Sequence, residues 1–222
     1  MRPPDSGSPI LIAHRAGNDP IRLRKAESAG VDLIECDLWL YHDRLEVRHE
    51  KTAGPLPVLW DRWSLAPGWR SRWTLTDLLR SASHSTELFF DLKGWNARLP
   101  ELLLAIIAEE MPDRPFSVSS QNWELLRPFR TIPQVTTFYS IGNPRQLRAF
   151  PGQIEPSRKI SVSIHSKLLT PSTIAYLRGR SDHIIPWKIR TMAHAQQLLA
   201  WGVDGLNVDD PSLLRELVRK GT

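Results

Sequence analysis

The chain has 222 residues and a formal net charge of +5, and its single cysteine, Cys36, excludes an internal disulfide framework and suits a reducing compartment. No stretch approaches the ~20 apolar residues of a membrane helix, and Met1 to Ser8 lacks the apolar centre of a secretion signal, so a cytoplasmic protein with no transmembrane segment is expected. The 22 Arg and 7 Lys are scattered apart from Arg22-Leu23-Arg24-Lys25; this favours an anionic partner, but no nucleic-acid module is visible and no nucleic-acid partner is expected.

Apolar runs of strand length recur near 10–13, 31–38, 87–92, 115–119, 134–139, 159–164, 183–187 and 203–208. Helical spacing fills most of the intervals, as in Leu99-Leu102-Leu103-Ile106-Ile107, Trp123-Leu125-Leu126-Phe129, Ala195-Leu198-Leu199 and Leu213-Leu214-Leu217-Val218. Thr170-Pro171 and Asp210-Pro211 mark helix starts, and Gly30 and Gly202 mark stops. Eight strands alternating with helices predict an α/β protein whose parallel sheet closes into a (β/α)8 TIM barrel, one domain over 1–222. The rhythm breaks between Tyr41 and Trp73. A hairpin is expected there, Leu45 to His49 returning after a turn at His42-Asp43-Arg44, and then a loop rich in Pro and Trp (Trp60, Trp63, Trp69, Trp73). This insertion follows the second strand and so belongs to the C-terminal rim, where barrels build active sites. Its tryptophans form either the loop's own small core or a lip for an apolar part of a substrate.

Three apolar runs end in charge: Ile10-Leu11-Ile12-Ala13-His14-Arg15, Leu33-Ile34-Glu35-Cys36-Asp37 and Leu88-Phe89-Phe90-Asp91-Leu92-Lys93. Residues i and i+2 of a strand share a face, so Glu35 with Asp37, and Asp91 with Lys93, can each point into one site. Three carboxylates at the ends of adjacent strands repel unless protonated or bridged, because buried charge is costly. Oxygen-only ligands suit a hard ion, Mg²⁺ or Ca²⁺, rather than zinc. His14 and His49 can flank that metal, and imidazoles of ordinary pKa, ~6.5, can supply one base and one acid near neutral pH. Arg15 and Lys93 add fixed positive charge suited to phosphate oxygens. Together these are parts for cleaving a phosphodiester. Cys36, between Glu35 and Asp37, is expected on the opposite face as core and not as a nucleophile.

On these residues the chain resembles the glycerophosphodiester phosphodiesterase family. The likeness rests on His14-Arg15, on Glu35-x-Asp37 with the hairpin and His49, and on Asp91-x-Lys93. It continues through Val118-Ser119-Ser120, Pro186-Trp187-Lys188-Ile189 and the segment from Gly202 to Pro211, and so spans nearly the whole chain in order. The resemblance implies a barrel that hydrolyses a small phosphodiester, a glycerophosphodiester or a lysophospholipid-like one, to an alcohol and glycerol phosphate with a divalent cation. It implies that His14 and His49 are the acid/base pair and that Glu35, Asp37 and Asp91 hold the metal. Arg15 and Lys93 would contact phosphate, and Trp187 would line the pocket near the glycerol. The sequence departs from the family pattern in several places, among them a span from Pro20 to Glu35 about a turn short and a hairpin to His49 one residue short. His-Arg-Gly reads His14-Arg15-Ala16 with Gly17 one place late, a Pro-Glu-Asn-Thr element is missing, Glu50 stands where Asp is usual, and Asp91 where Glu is commoner. The shorter Asp91 implies a tighter site that favours Mg²⁺ over Ca²⁺. Two other readings stay open: a cyclising phosphodiesterase like phospholipase D toxins and phosphatidylinositol-specific phospholipase C, and a degenerate barrel that binds an anion without turnover.

Overall fold

Four helices start on the same short signal, a capping side chain followed by proline. Asp19, Asn143, Thr170 and Asp210 each accept hydrogen bonds from backbone N–H groups of the coming turn, and Pro20, Pro144, Pro171 and Pro211 take the first helical position. The computed structural model describes residues 8–52, 58–61, 64–67, 72–153 and 160–221. In it β1 (Ile10–Ala13), α1 (Pro20–Ala29), β2 (Leu33–Tyr41) and β3 (Arg44–Val47) come first. The insertion holds β4 (Lys51–Thr52), β5 (Val58–Asp61) and β6 (Ser64–Pro67), and α2 (Leu75–Ser81) follows. The remaining elements are β7 (Glu87–Leu92), α3 (Arg98–Glu110), β8 (Phe116–Ser120), β9 (Val135–Ile141), α4 (Pro144–Ala149), β10 (Ser161–His165), α5 (Pro171–Arg178), β11 (Ile184–Ile189), α6 (Met192–Ala200), β12 (Gly205–Val208) and α7 (Pro211–Lys220).

Strands β1, β2, β7, β8, β9, β10, β11 and β12 pair in parallel around a circle, and β12 pairs back onto β1. The expected eight-stranded barrel is therefore closed. Alternation along each strand divides the apolar residues into two cores. Ile10, Ile12, Leu33, Phe89, Phe138 and Ile185 fill the barrel interior, and a larger cluster lies between sheet and helices. Phe89 and Phe138 meet edge to face inside, with ring centres 5.0 Å apart, a geometry worth about 0.5–1.5 kcal/mol beyond burial. Gly205 belongs to the floor of that interior. A Cβ there would lie 2.3 Å from the Ile10 carbonyl oxygen and 2.7 Å from Ile10 Cβ, so only glycine lets β12 approach β1.

The hairpin forms as expected, β2 against β3 with His42 in the left-handed turn conformation. Three features differ from the sequence reading. The Trp-rich segment is no plain loop, because β4, β5 and β6 make a separate three-stranded antiparallel sheet. Helix α2 was not anticipated; its start is fixed by Thr74 and Asp77, which cap each other's backbone N–H. Trp123–Phe129 is a 3-10 segment and not an α-helix, since Pro128 lacks the N–H and crowds the preceding turn. Trp63, Trp69, the first residue of the run near 159–164 and the N-terminal seven residues lie outside the described residues. No described helix is long and apolar enough to cross a membrane.

Candidate active site at the barrel mouth

The interior face that is apolar at the bottom of the barrel turns polar at the C-terminal ends of the strands. Ile10 and Ile12 lead in steps of two to His14, Leu33 to Glu35 and Asp37, and Phe89 to Asp91. The same stepping brings Ser119, Ser140, Ser163, Trp187, Asn207 and Asp209 to the mouth, where they line a cavity of about 1260 Å³ together with His14, Arg15, Glu35, His49, Asp91 and Lys93. Barrel geometry thus gathers His14, Arg15, Glu35, His49, Asp91, Lys93 and Trp187 around one cavity. Asp37 sits just beneath, fully buried, with Asp91 as its partner on the adjacent strand.

The acidic cluster is tightly wired. Ligand atoms of Glu35, Asp37 and Asp91 lie within 4.8 Å of one another. Lys93 Nζ stands 2.8 Å from Asp37 Oδ1 and also pairs with Asp91, whose other oxygen accepts a hydrogen bond from Ser119 Oγ at 2.9 Å. Arg15 Nε is 3.4 Å from Asp37 Oδ2. Arg15 itself adopts a left-handed backbone (φ 54°) that turns its N–H onto Glu35 Oε2 at 2.5 Å. Burial pushes the Asp37 carboxyl up, but the Lys93 ammonium and Arg15 guanidinium outweigh it and hold the group at about 2. Glu35 goes the other way. Burial first, and the Asp37 charge second, raise its carboxyl to about 7.

That contrast tests the cluster against a metal. Every donor is a carboxylate oxygen and the atoms converge; Lys93 and Arg15 offset the charge of Asp37, whereas His14 at 3.9 Å and the Arg15 N–H do not offset the burial of Glu35. A hard divalent cation fits this donor set and this deficit.

Both histidines turn Nδ1 toward a carboxylate. His14 Nδ1 hydrogen-bonds Asp209 Oδ1, and its Nε2 lies 3.9 Å from Glu35 Oε2. Burial lowers the His14 pKa, but the Glu35 charge and the Asp209 bond raise it more, so the net shift is upward. His49 Nδ1 stands 3.0 Å from Asp61 Oδ2 on β5, at ion-pair distance but off the line of a hydrogen bond. A carboxylate beside Nδ1 favours the proton there and leaves Nε2 free for exchange.

Sequence reasoning missed Asn18, Asp209 and Asp61. Asn18 clamps Asp37 at two points, donating Nδ2–H to Oδ2 at 2.8 Å and accepting the Asp37 N–H on Oδ1 at 2.9 Å. The signal was present in Asn18-Asp19-Pro20 and Asp209-Asp210-Pro211. In each, the residue next to proline caps a helix, Asp19 for α1 and Asp210 for α7. The polar residue before the cap is then spare, and it faces the site. Gly17 makes room for this loop: a Cβ on it would lie 2.8 Å from Cys36 Cβ. The displaced glycine of the sequence pattern is therefore the one that packs on β2. If Asp37 holds a divalent cation, Asn18→Ala is expected to weaken its affinity by about 10–100-fold, the usual cost of losing a group that orients a metal ligand; isothermal titration with Mg²⁺ measures it.

Cys36 is fully buried on the core side, and burial raises its thiol well above the ordinary range. Cys36→Ser is expected to cost about 1–3 kcal/mol of stability for a buried hydroxyl without a partner. Turnover should stay within a few-fold, read by denaturant unfolding beside a rate assay.

What fold and site define together is a (β/α)8 barrel with a carboxylate cluster, two histidines and fixed cations at its C-terminal mouth. No protein-family model matches the chain, and no curated protein matches it in sequence. Solved structures do match in fold. A phosphodiesterase of Oleispira antarctica, in complex with the product sn-glycerol-3-phosphate, is 16% identical with a TM-score of 0.75, covering 96% of this chain and 97% of that one. The glycerophosphodiester phosphodiesterase of Thermotoga maritima is 18% identical with a TM-score of 0.71, covering 94% and 97%. That of Parabacteroides distasonis is 19% identical with a TM-score of 0.72, covering 96% and 99%. The chain shares the fold of glycerophosphodiester phosphodiesterases over nearly its whole length.

Proposed function

We propose that this protein is a phosphoric diester hydrolase that cleaves a glycerophosphodiester to an alcohol and glycerol phosphate, with Glu35, Asp37 and Asp91 holding a divalent cation. The observation that carries this reading is the meeting, at one mouth, of a convergent carboxylate trio and two histidines whose Nδ1 atoms face carboxylates. Structures of like fold support it, one of them in complex with sn-glycerol-3-phosphate. Bound Mg²⁺ or Ca²⁺ would supply positive charge against the phosphate oxygens. Arg15 and Lys93 add cationic contacts that orient the same group. Asp209 keeps the proton on Nδ1 of His14, and Asp61 stands beside Nδ1 of His49. Nε2 of one imidazole takes the proton of the attacking water, and protonated Nε2 of the other gives one to the departing alcohol oxygen. The water oxygen thereby joins phosphorus as the bond to the alcohol oxygen breaks. Trp187 forms the wall beside the glycerol. One domain over 1–222, working in the cytoplasm, goes with this reading.

Phosphorus NMR of glycerophosphocholine incubated with the protein tests it. Glycerol phosphate is expected, its formation stopped by EDTA and restored by Mg²⁺ or Ca²⁺. A cyclic phosphate signal would assign the attack to a substrate hydroxyl instead of water, and full activity in excess EDTA would remove the metal from the scheme.

A further inference from the structure

The small sheet β4–β5–β6 has two unlike faces. Leu59 is fully buried, and Asp61, on the same side of β5, reaches His49. On the other side the register sets Lys51 against Trp60 and Trp60 against Leu65, one row across all three strands. Leu65 is 76% exposed and Trp60 38%, and the Lys51 ammonium lies 5.0 Å from the Trp60 ring centre. At the same cavity Trp95 is 85% exposed. It follows Gly94, which has a left-handed φ of 83° and where a Cβ would lie 3.2 Å from the Trp39 ring. Lys51, Lys188 and Arg190 share the lining of that mouth with Trp60 and Trp95.

Indoles prefer the boundary between water and acyl chains, where the ring is apolar and the N–H stays wet. Cations beside them add attraction to anionic headgroups, and the net charge of +5 has the same sign. A second copy of this chain is a poor occupant, because it would bring one basic lip against another. We propose that this lip seats on an anionic lipid surface. Trp60, Leu65 and Trp95 sit at headgroup depth, Lys51, Lys188 and Arg190 lie against lipid phosphates, and the cavity opens onto the membrane. The contact goes beyond the proposed hydrolysis and does not depend on turnover.

Sedimentation of the full chain with vesicles tests this directly. The protein is expected to pellet with vesicles of phosphatidylcholine and phosphatidylglycerol in equal parts, not with phosphatidylcholine alone, and less so as salt is added. Leu65→Glu and Trp95→Ser should each lower partitioning about tenfold, and Lys51→Glu about fivefold. Leu65 and Trp95 are mostly exposed, so an unchanged melting temperature should accompany both losses. Hydrolysis of a water-soluble diester by Leu65→Glu should match the unaltered protein. Absent pelleting of the unaltered protein, or equal pelleting of the variants, overturns the proposal. So does a dimer that Leu65→Glu converts to monomer, which makes the lip a self-contact. A raised KM for an acyl-bearing diester with no vesicle effect also overturns it, making the lip a substrate subsite.

Discussion

His14→Ala and His49→Ala should each lower kcat/KM toward a glycerophosphodiester by ~10²–10⁴, the worth of a positioned acid or base. Neither side chain belongs to the apolar clusters, so both variants should fold. If the two imidazoles act in one transition state, their losses combine less than additively. A nitrophenyl diester has a leaving group that needs little protonation. It should rescue the variant that lacks the acid far more than the one that lacks the base, which assigns the roles. Asp209 acts through His14, and Asp209→Asn should cost less, about tenfold, while moving the limb of the pH profile that reports His14. The sign follows from the electrostatics. Burial lowers the His14 pKa, whereas Glu35 and Asp209 raise it more; losing the Asp209 charge therefore shifts that limb to lower pH. A merely structural Asp209 would leave the limb in place. Equal rescue of both alanine variants, or near-normal rates in either, would sink the acid/base assignment.

The barrel was legible because its signal is strong at every strand. Runs such as Ile10–Ala13 are buried on both faces and read as continuous apolar stretches, and proline after a cap residue marks helix starts. Four residues of the candidate site could be read from parity, since Glu35 and Asp37, and Asp91 and Lys93, are each two apart, while His14 and Arg15 stood out as charge closing an apolar run. The rest was hidden for local reasons. Strand β4 has two residues, too few for any period to emerge, so neither the small sheet nor the Asp61 contact to His49 was visible. Asn18 and Asp209 each stand beside a helix-capping aspartate, whose clear local role masks a neighbour that acts 19 or 195 residues away. In Trp123–Phe129 the helical spacing is present, but Pro128 overrides it.

The largest effect of pH is expected in the metal-free protein and should vanish with metal bound. Burial and the Asp37 charge raise folded Glu35 from the ordinary 4.5 to about 7. A carboxyl that binds its proton more tightly when folded stabilises the fold at low pH. That contribution is lost as pH rises from the unfolded value through the folded one, here from about 4.5 to about 7. Asp37 has the opposite sign, since Lys93 and Arg15 lower it from 3.8 to about 2 against the effect of burial. Its contribution is full above 3.8 and disappears as pH falls through about 2. The contribution of this pair is therefore greatest near pH 4–4.5 in the chelated protein and falls by on the order of a few kcal/mol by pH 8. A divalent ion at a hundredfold excess over its Kd should restore about 2.7 kcal/mol at pH 8, and much less at pH 5, where it competes with the proton on Glu35. Glu35→Gln removes the charge that both effects need. This variant should be inactive, yet in EDTA at pH 8 it should melt higher than the unaltered protein and gain nothing from Mg²⁺ or Ca²⁺. Calorimetric melting curves at pH 5 and pH 8, with and without the ion, decide the matter. A chelated protein as stable at pH 8 as at pH 5, or a Glu35→Gln variant that still gains stability from the ion, would overturn the proposed role of Glu35 in holding a cation.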